Sequence, residues 1–161
     1  MKKELPVRKD IRLKDYDYSH NGAYFITMCV KDGHKILWTR THVGTRIARP
    51  LLSAIGKVIE NSIENISCIY EAVNVDKYVI MPNHIHIIIK IDDKCGRAMR
   101  VPTISTVINQ MKGYATKRLG YSIWQPRFHD HIIRDEESYQ QIWQYVDKNP
   151  ETWHEDCYYT I

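Results

Sequence analysis

The sequence predicts an α+β protein with a split βαβ core: a central antiparallel sheet with helices on one face, then one added helix. Three observations carry that reading. Segments with strand and helix periodicity follow one another as strand, helix, strand, strand, helix, strand, helix. The two middle strands are joined only by Pro82-Asn83, a tight-turn signal, so they run antiparallel. A length of 161 residues, 43% apolar and 26% charged, suits one domain with a real core. We therefore expect a single domain over residues 1–161, with residues 1–20 as a basic N-terminal extension.

Each element has a local cause. Ala23–Val30, AYFITMCV, is rich in aromatic and β-branched residues and reads as a strand before the turn signal of Gly33. Pro50 opens a helical stretch in which Leu51, Leu52, Ile55, Val58, Ile59, Ile63 and Ile66 form one apolar stripe. Ala72–Met81 and His84–Ile91 are the paired middle strands. The polar, basic run from Asp92 to Val101 is a loop. Thr103–Leu119 is a helix with Ile104, Val107, Ile108, Met111, Ala115 and Leu119 on one face, ended by Gly120. Trp124–Arg134 mixes aromatic, His and Arg residues as loop and short strand. Asp135-Glu136-Glu137 starts the last helix, which runs from Glu136 to Asn149 and stops at Pro150.

Composition narrows the class. No apolar run approaches the length that spans a bilayer, and the charged N-terminus lacks the apolar core of a signal peptide. A soluble, cytoplasmic protein with no membrane partner is expected. The four cysteines (Cys29, Cys68, Cys95 and Cys157) are scattered with no CxxC pair, which suits a reducing compartment. Cys29 and Cys68 lie in apolar runs and read as small core residues. Residues 94–134 hold eight Lys/Arg against one acid, a net +7 in a chain of net +4. Such a segment suits a polyanionic partner, although a solvated surface has the same composition.

The stretch MPNHIHIII, Met81–Ile89, carries the chemistry. Alternation puts His84 and His86 on one strand face with Ile88, and Ile85, Ile87 and Ile89 on the other. Residues two apart on a strand are about 7 Å apart at Cα, so both rings can converge on one divalent ion. The same pair also reads as partly exposed histidines with ordinary hydrogen bonds. Two imidazoles leave a metal site incomplete. In the last helix, Tyr145 and Asn149 share a face four residues apart, offering a phenol and an amide oxygen. Their alternative roles are an amphipathic core tyrosine and a helix C-cap before Pro150.

Four blocks, in order, resemble a known family. MPNHIHIII resembles the MPNHxH signature of single-tyrosine HUH transposases, in which two histidines flank a hydrophobic residue. YVDKNP, Tyr145–Pro150, is similar to the YxxxNP segment of their REP-associated tyrosine transposase branch. Ile11–Thr27, IRLKDYDYSHNGAYFIT, and Trp124–Glu137, WQPRFHDHIIRDEE, resemble two further blocks of that branch. The resemblance implies a ferredoxin-like HUH endonuclease fold and a metal-dependent endonuclease and strand transferase acting on single-stranded DNA. It makes His84 and His86 metal ligands and Tyr145 the nucleophile of a 5′-phosphotyrosine intermediate. Asn149 stands where small insertion-sequence relatives carry a Gln ligand, one methylene longer. Mg²⁺ or Mn²⁺ is the expected working metal, and the imidazoles also suit Zn²⁺ or Ni²⁺.

The expected substrate is single-stranded or hairpin DNA, with Arg97, Arg100, Lys112, Lys117, Arg118 and Arg127 as phosphate contacts. The small insertion-sequence relatives act as dimers and REP-associated members also as monomers, so a homodimer is an open expectation. Tyr114, flanked by Lys112, Lys117 and Arg118, is the rival phenol, but no metal ligand lies one turn beyond it. His129 and His131, around Asp130, suit DNA contact or a structural cluster. Trp124 and Phe128 suit base stacking or core packing. Two other functions fit the same residues: a DNA-binding module that no longer transposes, and a phosphodiesterase that uses metal and water.

Overall fold

The computed structural model describes residues 20–39, 51–92 and 101–159. Seven main elements follow in the expected order: β1 (Gly22–Cys29), α1 (Ala54–Ile69), β2 (Val73–Ile80), β3 (His84–Ile91), α2 (Ile104–Leu119), β4 (His129–Ile133) and α3 (Glu136–Lys148). The sheet order is β2-β3-β1-β4, and every neighbouring pair is antiparallel. This is the ferredoxin-like split βαβ arrangement: each βαβ unit leaves a gap that a strand of the other fills.

Capping chemistry sets the helix boundaries. Ser53 Oγ accepts from the Gly56 N–H at 3.0 Å and starts α1. Thr103 and Asp135 do the same for α2 and α3, accepting from Thr106 and Ser138. Gly120 ends α2 at φ 81°, in the left-handed region that favours glycine.

The start of α1 departs from the pattern reading. The helix begins at Ala54, after Leu51 and Leu52. The Leu37 carbonyl accepts from the Ser53 N–H (2.9 Å) and the Leu51 carbonyl from the Thr39 N–H (2.8 Å). These bonds hold residues 51–53 extended beside residues 37–39, so Leu51 is 64% exposed. Pro50 and most of the Asp92–Val101 loop lie outside the described residues.

One sheet face and two helices enclose the main core. Ile85, Ile87 and Ile89 are fully buried there with Tyr24, Ile26 and Met28, beneath Ile59 and Ile63 of α1 and Val107, Ile108 and Met111 of α2. Apolar burial of this kind is the principal favourable term in folding. The opposite face is covered by α3. Val146 packs on Ile88 and Ile133, with Phe25, Val79, Tyr139, Ile142 and Trp143 around them. A β-bulge between Val75 and Lys77 interrupts the β2–β3 register. Beside it, Asp76 accepts from the Tyr139 hydroxyl (2.8 Å), and Lys77 pairs with Asp147 (2.6 Å) over the Trp143 ring. Both contacts fix α3 across the sheet, which sets where Tyr145 lies. Cys29 is half-buried, but Cys68 faces solvent on α1, contrary to its expected core role.

Candidate active site

His84 and His86 sit at the start of β3 on the face that α3 covers, both fully buried. Their Nε2 atoms are 3.0 Å apart. Burial pushes the His84 imidazole down to about 4, against the opposing pull of Asp156. Burial and the neighbouring His84 push His86 down to about 3. Both rings are therefore neutral near pH 7, the state in which imidazole ligates metals.

α3 brings Tyr145 over this pair. Its hydroxyl is 3.3 Å from His86 Nε2, and Phe25 stacks on the His86 ring at 5.1 Å. The Tyr145 residue stays 43% exposed, so the hydroxyl borders both the buried rings and solvent. Burial and the Asp156 charge push its phenol up to about 12. One turn further, Asn149 is buried, and its Oδ1 has no hydrogen-bond partner.

A residue the sequence reading missed completes the cluster. Beyond α3 the chain turns back, and Asp156 reaches the histidines with its side chain 1% exposed. Asp156 Oδ2 accepts from Asn149 Nδ2 (2.9 Å) and the Tyr145 hydroxyl (3.4 Å), and lies 3.8 Å from His84 Nε2. Burial raises this carboxyl, but the Tyr158 N–H, the Asn149 amide and the two imidazoles outweigh it and hold it below the usual carboxylate range. Among the described residues, His84, His86 and Asp156 form a group able to hold a metal ion, with donor atoms all within 4.8 Å of one another. Two neutral imidazoles, an ionised carboxylate and an orphaned amide oxygen make a donor set that fits a divalent cation. No periodic signal links Asp156 to the strand, because a turn and a short 3₁₀ helix, Trp153–Glu155, separate it from α3.

The basic residues distribute unevenly. Arg97 and Arg100 lie outside the described residues. Lys112 donates to the carbonyls of Gln125 (3.0 Å) and Pro126 (3.4 Å), so it braces the loop that carries Arg127. Arg127 is exposed just before β4. Lys117 and Arg118 are exposed on α2, whose apolar side packs on the sheet face opposite the histidines, and Arg118 lies over the Tyr114 ring. Tyr114 is thus separated from the histidine pair by the sheet. His129 and His131 are exposed on β4 and pair with Thr27 and Phe25, which puts them on the histidine face at the open sheet edge. Trp124 is core, 2% exposed.

Fold and site together comprise a ferredoxin-like sheet, two histidines on a central strand and a tyrosine-bearing helix across them. A solved REP-associated tyrosine transposase bound to a REP hairpin has this fold, with a TM-score of 0.65 and 20% identity over 88% of this chain and 73% of that one. A candidate transposase from Deinococcus radiodurans matches with a TM-score of 0.51 and 14% identity over 85% of this chain and 95% of that one. The chain belongs to the same family as an uncharacterized protein of Haemophilus influenzae, to which it is 34% identical over 94% of its own length and 93% of that protein's. No family model matches the sequence.

Proposed function

We propose that this chain is a metal-dependent transposase of the single-tyrosine type, which nicks and rejoins single-stranded DNA through Tyr145. One observation carries the reading: the Tyr145 hydroxyl lies 3.3 Å from His86 Nε2 and 3.4 Å from Asp156 Oδ2, at the solvent side of a three-donor metal group. Burial and the Asp156 charge push the phenol up to about 12, so it stays protonated until a cation beside it offsets that charge. A nucleophile gains an adjacent site for charge stabilisation.

His84, His86 and Asp156 hold the ion in this reading, and the free Asn149 oxygen supplies a further donor. When bound, Mg²⁺ or Mn²⁺ would draw charge from the scissile phosphate and favour the phenolate. The Tyr145 oxygen attacks phosphorus, the P–O3′ bond breaks, and the departing 3′ oxygen takes a proton. The product is a 5′-phosphotyrosine bond and a free 3′-hydroxyl. A second 3′-hydroxyl attacks that phosphorus, returns the phenol and joins new ends. The Tyr145 hydroxyl donates to Asp156 Oδ2, which orients it, and its solvent-facing side lets water carry away the phenol proton. Phe25, stacked on His86, and the α3–sheet contacts hold the reacting side chains in place.

The substrate class in this reading is a hairpin with a single-stranded flank; the solved REP-associated tyrosine transposase is bound to a REP hairpin. Arg127 is an exposed phosphate contact beside β4, Lys112 positions its loop, Lys117 and Arg118 offer further contacts on α2, and Arg97 and Arg100 are candidates from sequence alone. The test is incubation of the protein with such an oligonucleotide and Mn²⁺, followed by mass spectrometry of the tryptic peptides. A nucleotide-bearing peptide containing Tyr145 is expected. Cleavage without any adduct would identify a hydrolase, and binding without cleavage a DNA-binding module.

A further inference from the structure

We propose that Asn83 is a positioning residue that sets the tautomer of His84, and does so by tying that ring to the chain segment that carries Asp156. The proposal rests on the metal reading of the site above.

Asn83 is read from sequence as a turn residue, and its backbone does serve the turn. Its carbonyl accepts from the Val30 N–H (2.8 Å), and the His84 carbonyl accepts from the Met81 N–H (2.8 Å). The turn is thus pinned to the end of β1. A turn needs nothing more from the side chain, yet Asn83 is 3% exposed and both ends of its amide are used. Nδ2 donates to the Tyr158 carbonyl at 2.8 Å. That carbonyl only accepts, so the amide orientation is fixed and Oδ1 faces His84 Nδ1 at 2.9 Å. Oδ1 also only accepts, so His84 Nδ1 must carry the ring proton. A neutral imidazole has one such proton. His84 Nε2 therefore presents a bare lone pair towards His86 Nε2 and Asp156 Oδ2.

The second histidine is held differently. His86 Nδ1 meets the Thr27 hydroxyl at 2.8 Å. A hydroxyl donates or accepts, so Thr27 permits either tautomer. With His84 Nε2 bare, the 3.0 Å contact between the two Nε2 atoms needs a proton from His86 Nε2. Thr27 then donates to His86 Nδ1. One ring is preset and the other adjustable.

The same amide links the ring to the tail. Tyr158 N–H donates to Asp156 Oδ1 (2.7 Å), and the Tyr158 ring lies 4.6 Å from that of His84. Asn83 thus connects a ligand on β3 to the segment that delivers the carboxylate, 75 residues away in sequence.

The test reads the tautomer directly in metal-free protein, by long-range ¹H–¹⁵N correlation of ¹⁵N-histidine-labelled samples, with Mn²⁺ affinity by calorimetry alongside. The unaltered protein shows His84 protonated at Nδ1. Asn83→Asp keeps the acceptor and loses the donor, and retains that tautomer. Asn83→Leu removes both, shifts His84 towards the Nε2-protonated form and weakens Mn²⁺ binding about 10–100-fold, the usual cost of losing a ligand's supporting hydrogen bond. An Nε2-protonated His84 in the unaltered protein overturns the proposal, and so does an Asn83→Leu protein with tautomer and affinity unchanged. The unaltered protein decides the question even if Asn83→Leu does not fold. Failure of the unaltered protein to bind Mn²⁺ overturns the metal reading, whereas the tautomer measurement judges Asn83 in either event.

Discussion

His84 and His86 are separated by a single residue, and strand alternation alone aims them the same way. That much is legible in MPNHIHIII, as is the helical spacing of Tyr145 and Asn149. The sequence does not show that the last helix crosses the histidine face, because that depends on contacts such as Lys77–Asp147 and Tyr139–Asp76, between β2 and α3. Asp156 was still less accessible. It belongs to no periodic element, and its approach to His84 depends on a turn that only the folded chain defines. Its expected contribution is measurable. Asp156→Asn removes an ionised donor from a buried site, and calorimetric titration should show Mn²⁺ affinity reduced about tenfold or more. Unchanged affinity would remove Asp156 from the ligand set.

Elements were easier to read than their ends. The apolar stripe of α1 was visible, but Leu51 and Leu52 continued the pattern past the true start. Backbone hydrogen bonds to residues 37 and 39 hold that stretch extended, and a local pattern cannot register a partner strand distant in sequence. The same junction yields a prediction at Gly56. Alanine has the better intrinsic helix propensity, by about 1 kcal/mol. A Cβ at Gly56, however, would overlap the Leu37 carbonyl oxygen, a backbone atom with little room to move. Overpacking of this kind costs about 1–3 kcal/mol. Gly56→Ala should therefore destabilise the protein in urea unfolding despite the gain in propensity. A stabilised variant would mean that the Leu37 carbonyl does not lie against α1 at Gly56.

Over the whole molecule, the split βαβ core was legible because the short link Met81–Asn83 forces β2 and β3 together and the helices supply the crossovers. The two layers have distinct tasks: α1 and α2 bury the isoleucine face, and α3 closes the histidine face. The described part of the basic segment places Arg127 before β4 and Lys117 and Arg118 on α2, all exposed. If DNA docks across these positions, hairpin affinity falls steeply with salt, and each of Arg127→Ala, Lys117→Ala and Arg118→Ala reduces the log–log salt slope by about 1. A slope unaffected by all three would locate the docking surface elsewhere. The central claim concerns the bond that Tyr145 forms. A 3′-labelled hairpin oligonucleotide with a single-stranded flank, incubated with Mn²⁺ and resolved under denaturing conditions, reads it directly. The account predicts a labelled protein–DNA band with the unaltered chain and none with Tyr145→Phe. An equal band with Tyr145→Phe, or cleavage by the unaltered chain with no band at all, would contradict it.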